Sequence, residues 1–251
     1  MLNEAETVTF PNPRGRTLVG EWREVGGDRL IVLMHGLTAD RFERGRFDLA
    51  VSELTSHGFN TFRFDFAGCG ESDDGDLTLV GLLEDGRSAL QFARHRGGQR
   101  FGLLGLSFGA YVCCRMEETV EAMVLWAPVT NRTTQPARFY GPDKAREVQE
   151  TGKLTHFRDN LPRWVTIDGS LLADWESIDQ ESLLSRIRIP VLIAHGRDDD
   201  KIPIADSRNA LDYLPKGSTL TVIDGADHHL KTPELEEFVR VTVDWFEGHF
   251  V

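Results

Sequence analysis

Short apolar runs alternate with amphipathic stretches along most of this 251-residue chain, and that alternation constrains its fold more than any other feature. Runs of strand length fall at 29–34, 59–64, 101–106, 122–126, 191–195 and 219–223. Between them, Leu79, Leu82, Leu83, Leu90 and Ala93 recur at helical spacing, as do Leu235, Phe238, Val239, Thr242 and Phe246 near the end. Strand, helix, strand in succession is what a parallel sheet with crossover helices requires, so an α/β fold is expected. Two earlier β-rich pieces, 7–10 and 18–25, flank Pro11-Asn12-Pro13-Arg14-Gly15 and predict an antiparallel hairpin at the sheet's edge. Thr232-Pro233-Glu234 predicts the start of the last helix, with the threonine as cap.

The rhythm breaks between 131 and 185. No core-quality strand is legible there, but charges abound, with the aromatics Phe139, Tyr140, Phe157, Trp164 and Trp175 among them. So many large aromatics argue against disorder, and a cap over the sheet's carboxyl edge is expected. The implied division is a core of 1–130 and 186–251 with a cap or lid insertion at 131–185. The cap aromatics either cover the core or line an acyl pocket.

Composition excludes several classes of partner. A formal charge of −12 disfavours nucleic acid and anionic membranes, which reward clustered Lys and Arg. The short basic clusters Arg41, Arg44, Arg46 and Arg94, His95, Arg96 are expected on solvated faces. Cys69, Cys113 and Cys114 form no spaced framework, so buried or inert thiols are expected in a reducing compartment. The first residues, Met1-Leu2-Asn3-Glu4-Ala5-Glu6, lack a basic flank and an apolar run, so a cytoplasmic location is expected.

Three stretches carry candidate chemistry. Gly105-Leu106-Ser107-Phe108-Gly109 stands between an apolar strand and Ala110-Tyr111-Val112-Cys113. A serine on so sharp a turn sits in a strained conformation with its hydroxyl presented, and small flanks let neighbouring backbone pass. Its hydroxyl needs a base. In Asp224-Gly225-Ala226-Asp227-His228-His229, after the last strand, His228 is preferred over His229 by its position relative to Gly225. The imidazole in turn needs a carboxylate, and Asp198, Asp199 and Asp200 after the preceding strand all offer one. Successive side chains of an extended loop point apart, so these three aspartates are not expected to hold a metal. Gly68-Cys69-Gly70 could cradle a phosphate, although the full glycine-rich pattern is absent.

Taken together, these motifs resemble the α/β-hydrolase superfamily in the chain order serine, acid, histidine, over nearly the whole chain. His35-Gly36-Leu37-Thr38 is similar to its oxyanion loop, and Asp65-Phe66-Ala67-Gly68-Cys69-Gly70-Glu71-Ser72 to its D-x-x-G-x-G-x-S turn. The resemblance implies a mostly parallel eight-stranded sheet with helices on both faces and an inserted cap. It assigns the acid to Asp199, between Gly196 and Pro203, and the base to His228 in the G-A-x-H stretch. It makes the backbone N–H groups of Leu37 and Phe108 the oxyanion donors. Length, oxyanion loop and cap are most similar to the small capped carboxylesterases that include cinnamoyl and feruloyl esterases, beside serine aminopeptidase-like proteins.

The implied activity is cleavage of a carboxylic ester through an acyl-enzyme, without metal or organic cofactor. Thioesterase, acyltransferase or serine aminopeptidase activity would use the same parts, and a non-catalytic binding protein is the alternative outside catalysis. Substrate contacts are expected from His35, Phe139, Tyr140, Trp164 and Trp175, although a structural hydrogen-bonding role is favoured for His35. The expected partner is a small acyl ester; a homodimer stays open.

Overall fold

The computed structural model describes residues 4–116, 120–133, 140–159 and 161–250. Ten strands and eight α-helices are traced among these residues. Eight strands join one sheet in the order β1-β2-β4-β3-β5-β6-β9-β10. They are β1 (Glu6–Pro11), β2 (Thr17–Arg23), β3 (Arg29–Met34), β4 (Asn60–Phe64), β5 (Arg100–Leu106), β6 (Ala122–Trp126), β9 (Val191–Gly196) and β10 (Thr219–Ile223). From β4 to β10 every neighbouring pair is parallel, whereas β2 pairs antiparallel with both β1 and β4. This is the expected edge hairpin. Asn12 shapes its turn by accepting the Arg14 and Arg16 amides and donating to buried Asp85 at 2.7 Å.

The central parallel strands β3, β5, β6 and β9 read as near-continuous apolar runs because both faces are covered. Ile31, Leu33, Leu104, Val124, Trp126 and Ala194 point to one side, where α1 (Arg46–Ser56) and α8 (Glu234–His249) pack. Leu30, Val32, Met34, Leu103, Met123 and Ile193 point to the other, against α2 (Leu79–His95) and α3 (Phe108–Cys114). The period of two thus builds two apolar layers from one run of residues. α7 (Ile204–Ala210) follows β9. Thr232 does not cap the last helix: the chain turns at a cis Thr232–Pro233 bond, and α8 starts at Glu234 with no side-chain cap.

Residues 131–185 contain α4 (Pro142–Thr151), an antiparallel hairpin of β7 (Lys153–Arg158) and β8 (Arg163–Asp168), α5 (Gly169–Glu176) and α6 (Gln180–Leu184). The hairpin is absent from the sequence reading because only Leu154, Val165 and Ile167 of it are apolar and buried. A short apolar stripe on one face gives too few alternations to stand out. Main-chain bonds from Leu77 to Thr166 (2.8 Å) and from Asp168 to Leu77 (3.0 Å) fasten the hairpin to the loop before α2. Leu154, Val165, Ile167, Leu171, Trp175 and Leu184 continue the apolar layer of the α2–α3 side without a break.

One basic cluster departs from expectation. Arg41 is only 5% exposed, not solvated, and its guanidinium binds the carboxylates of Asp65 and Glu71. Asp65 explains the turn that follows β4: its carboxylate takes the Arg41 and Glu71 amides, and its carbonyl accepts the Ser72 hydroxyl at 2.6 Å. A β-carbon on Gly70 would lie 2.1 Å from the Asp65 Cγ, so only glycine fits there. The amides of Gly68, Cys69, Glu71 and Ser72 all have acceptors between residues 65 and 73, so they are not free together to cradle a phosphate.

Candidate active site

Ser107 directly follows β5 with φ 56° and ψ −113°, a positive-φ conformation that L side chains rarely adopt. The flanking glycines have definite steric jobs. A β-carbon on Gly105 would lie 2.6 Å from the Ala110 Cα, and one on Gly109 would lie 2.1 Å from the Met34 carbonyl oxygen. Strand β5, α3 and the loop after β3 therefore close tightly around the serine. A β-carbon on Gly36 would come within 3.5 Å of the Ser107 Cβ, so the His35-Gly36-Leu37 backbone lies beside the candidate nucleophile. Phe108 begins α3, and its N–H at the first helical position has no intrahelical acceptor.

Asp199 and His228 meet at the same carboxyl rim, after β9 and β10. The His228 Nδ1 is 2.8 Å from Asp199 Oδ2. Oδ1 of Asp199 accepts the Lys201 and Ile202 amides, each at 2.8 Å. The Asp199 side chain is fully buried, and burial alone would raise its pKa. Hydrogen bonds from His195 and His228, the His228 charge and the Ile202 amide outweigh burial and hold it below the ordinary carboxylate range. Asp198, Asp200 and His229 are exposed.

His195 is the partner that sequence reasoning missed. This fully buried residue of β9 places Nε2 3.2 Å from Asp199 Oδ2 and 3.2 Å from the Ile202 carbonyl, while Nδ1 lies 2.6 Å from the Ser207 hydroxyl. Two acceptors face Nε2, so the proton belongs there and Ser207 donates to Nδ1. The available signal was a histidine ending an apolar strand four residues before the acid, a buried polar position that needs partners.

Glu43 was equally illegible. It is 1% exposed, accepts the Gly36 amide and pairs with Arg46 at 2.7 Å, which fixes the peptide leading to Leu37. His35 does not reach toward a substrate. Its Nε2 accepts the Phe66 amide at 3.1 Å, so Nδ1 donates to the Gly36 carbonyl at 2.8 Å, and both nitrogens are used on backbone.

The cap aromatics divide. Tyr140 hydrogen-bonds to Thr38 of the oxyanion-type loop, and its ring lies 6.1 Å from that of His156. Burial pushes the Tyr140 phenol up despite that bond. Trp175 is 1% exposed and meets the Phe108 ring edge-on at 5.2 Å, as part of the core. Trp164 is 65% exposed on the outer face of the hairpin, tilted against Phe157, and borders a surface hollow beside Asp74 and Arg163 that does not include Ser107. Phe139 lies outside the described residues. A cavity of about 410 Å³ opens near the far end of α3, lined in part by Tyr111, Arg115, Asp174 and Leu183, but it does not include Ser107. Among the described residues no helix is long and apolar enough to cross a membrane.

A mostly parallel eight-stranded sheet with serine, acid and histidine loops at its carboxyl rim defines the α/β-hydrolase class. The model of the alpha/beta hydrolase family matches residues 31–241, and the chain belongs to that family. It is similar to the uncharacterized protein YfhR of Salmonella typhi, 27% identical over 258 residues that cover 96% of this chain and 83% of that one. Human protein ABHD12B is 28% identical over 256 residues, 92% of this chain and 67% of its own. Est1E from Butyrivibrio proteoclasticus, solved with ferulic acid bound, superposes with a TM-score of 0.80 at 19% identity, covering 97% of this chain and 99% of that one. The Pyrococcus furiosus esterase Pf2001 gives 0.79 at 18%, covering 98% and 91%. These structural likenesses establish the fold.

Proposed function

We propose that the protein is a serine carboxylesterase in which Ser107 is the nucleophile, His228 the general base and Asp199 the orienting acid. The observation that carries this reading is the 2.8 Å contact between His228 Nδ1 and buried Asp199 Oδ2, at the rim where Ser107 takes its strained backbone. That contact favours the imidazole proton on Nδ1 and leaves Nε2 to accept the serine proton. Ser107 Oγ bonds to the acyl carbon, and the negative oxygen is received by the N–H groups of Leu37 and Phe108. Each such donor is worth about 2.7–4 kcal/mol in the transition state. His228 then protonates the departing alcohol, and water activated by the same imidazole releases the acid.

Residues 131–185 act as the cap, with Tyr140 against Thr38 as its contact to the oxyanion loop. The esterase names of the structural relatives favour an ester over other acyl substrates. A fluorophosphonate probe should label the protein, and Ser107→Ala should abolish labelling. Matched esters, thioesters and aminoacyl amides then rank the leaving groups. Preferred turnover of amides would overturn the ester assignment, and probe labelling that survives Ser107→Ala would overturn the nucleophile.

A further inference from the structure

The inward face of the hairpin carries basic side chains, one of them close to the 40–44 turn that follows the oxyanion-type loop. Directly opposed residues of an antiparallel pair share a side, and here the pairs are Leu154 with Ile167, His156 with Val165 and Arg158 with Arg163. Leu154, Val165 and Ile167 are buried, whereas Phe157 and Trp164 of the other face are exposed, so His156, Arg158 and Arg163 point inward. Arg163 is fully engaged: it donates to the carbonyls of Cys69, Gly70 and Ser72 and to the Asp74 carboxylate.

Arg158 is different. Its Nε is buried without a hydrogen-bond partner, and among the described residues no carboxylate is hydrogen-bonded to its guanidinium. The charged groups within its electrostatic reach are Arg44, Glu43 and Asp40, with the Cys69 thiol nearby. Glu43 is already committed to the Gly36 amide and Arg46, and Asp40 accepts the Phe42 amide. Arg44 is exposed, held at φ 55° and ψ 37°, on the turn that leads from the oxyanion-type loop to α1. His156 feels Arg158, Arg44 and Lys144 as positive neighbours and Asp159 as a negative one, and Lys144 is paired with Glu147.

Like charges opposed across a strand pair, with one of them partly desolvated and lacking a bonded carboxylate, destabilise a fold. A ligand anion would relieve that cost, because a guanidinium binds carboxylate or phosphate oxygens through short charge-assisted bonds. We propose that Arg158, flanked by Arg44 and His156, is an anion-recognition subsite at the rim of the oxyanion loop, and that the preferred ester carries a carboxylate or phosphate. The subsite rests on the esterase reading above and narrows its substrate class. Burial first, then Arg44, lowers the Arg158 pKa, and burial followed by Arg158 lowers that of His156, as expected of a basic cluster awaiting its counter-ion.

Aryl esters of matched reactivity test this on the full-length protein: 4-acetoxybenzamide as the neutral member, 4-acetoxybenzoate and 4-acetoxyphenyl phosphate as the two anions on the alcohol side. Phenyl hydrogen glutarate against its methyl ester places the charge on the acyl side. At least one anionic ester should exceed its neutral counterpart about tenfold or more in kcat/KM, chiefly through KM, and the advantage should shrink with added salt. Arg158→Met should cut that ratio about tenfold, and Arg44→Gln, at an exposed position, should cut it less. Equal turnover of all members, or a preference untouched by both substitutions, would overturn the subsite while leaving the esterase reading intact. Absence of any turnover together with absence of fluorophosphonate labelling would overturn both.

Discussion

Replacing Asp199 by asparagine isolates one atom of the candidate triad. Oδ1 accepts two backbone amides at 2.8 Å, so the asparagine must keep its carbonyl there and turn its NH₂ toward the histidines. That NH₂ then faces His228 Nδ1, where a carboxylate oxygen had accepted a hydrogen bond at 2.8 Å. To avoid two opposed donors, His228 must move its proton to Nε2, the nitrogen that receives the Ser107 proton in the proposed mechanism. His195 meets the same conflict at 3.2 Å. The wrong tautomer costs about 10⁴ in turnover, or about 5.5 kcal/mol of transition-state stabilisation. Initial rates on an aryl ester, with circular dichroism to confirm folding, measure the loss. Asp198→Asn and Asp200→Asn, at exposed positions, should each cost less than about tenfold. A loss below about a hundredfold at Asp199, or an equal loss at Asp198, would refute the assignment of the acid.

Three further outcomes follow from the same geometry. Gly109→Ala puts a carbon 2.1 Å from the Met34 carbonyl oxygen, so it should destabilise the fold by about 1–3 kcal/mol or more and slow fluorophosphonate labelling; an unchanged melting temperature would contradict the tight elbow. Burial pushes the thiols of Cys69 and Cys113 well up and that of Cys114 up to about 12. Native protein should therefore resist Ellman's reagent at pH 8 and release three equivalents on unfolding; rapid native reaction would show an accessible thiolate. Asp199 has a folded-state pKa below its unfolded value of about 3.9, so its contribution to stability is present above that value and lost as pH falls through the folded one. Urea midpoints of the native protein and Asp199→Asn should thus converge below about pH 4, and a gap that widens with acidity would reverse the sign.

The sheet and its edge hairpin were legible because two-residue periodicity and doubly buried apolar runs leave a mark in linear order. Ser107, between glycines at fixed offsets, was legible for the same local reason: the strained turn and the close approach of backbone restrict which residue types can stand there. Asp199 and His228 could be proposed because each follows a predicted strand of a parallel sheet, which delivers its loops to one rim.

Partners that meet across the fold left no such mark. Glu43 takes the amide of Gly36, His195 binds Asp199 from inside β9, and Arg41 is buried on Asp65. In the linear order each reads as an ordinary charged or polar residue. The sorting of the cap aromatics was equally hidden: Trp175 entered the core beside Phe108, Trp164 turned to solvent, and Tyr140 bonded to Thr38. Sequence alone determined which segments become the strands of the main sheet, and so which loops share its edge, because hydrophobic period and turn chemistry act between near neighbours. Only the tertiary structure decided which polar groups lost water and therefore had to find one another, since burial depends on everything that packs around a residue.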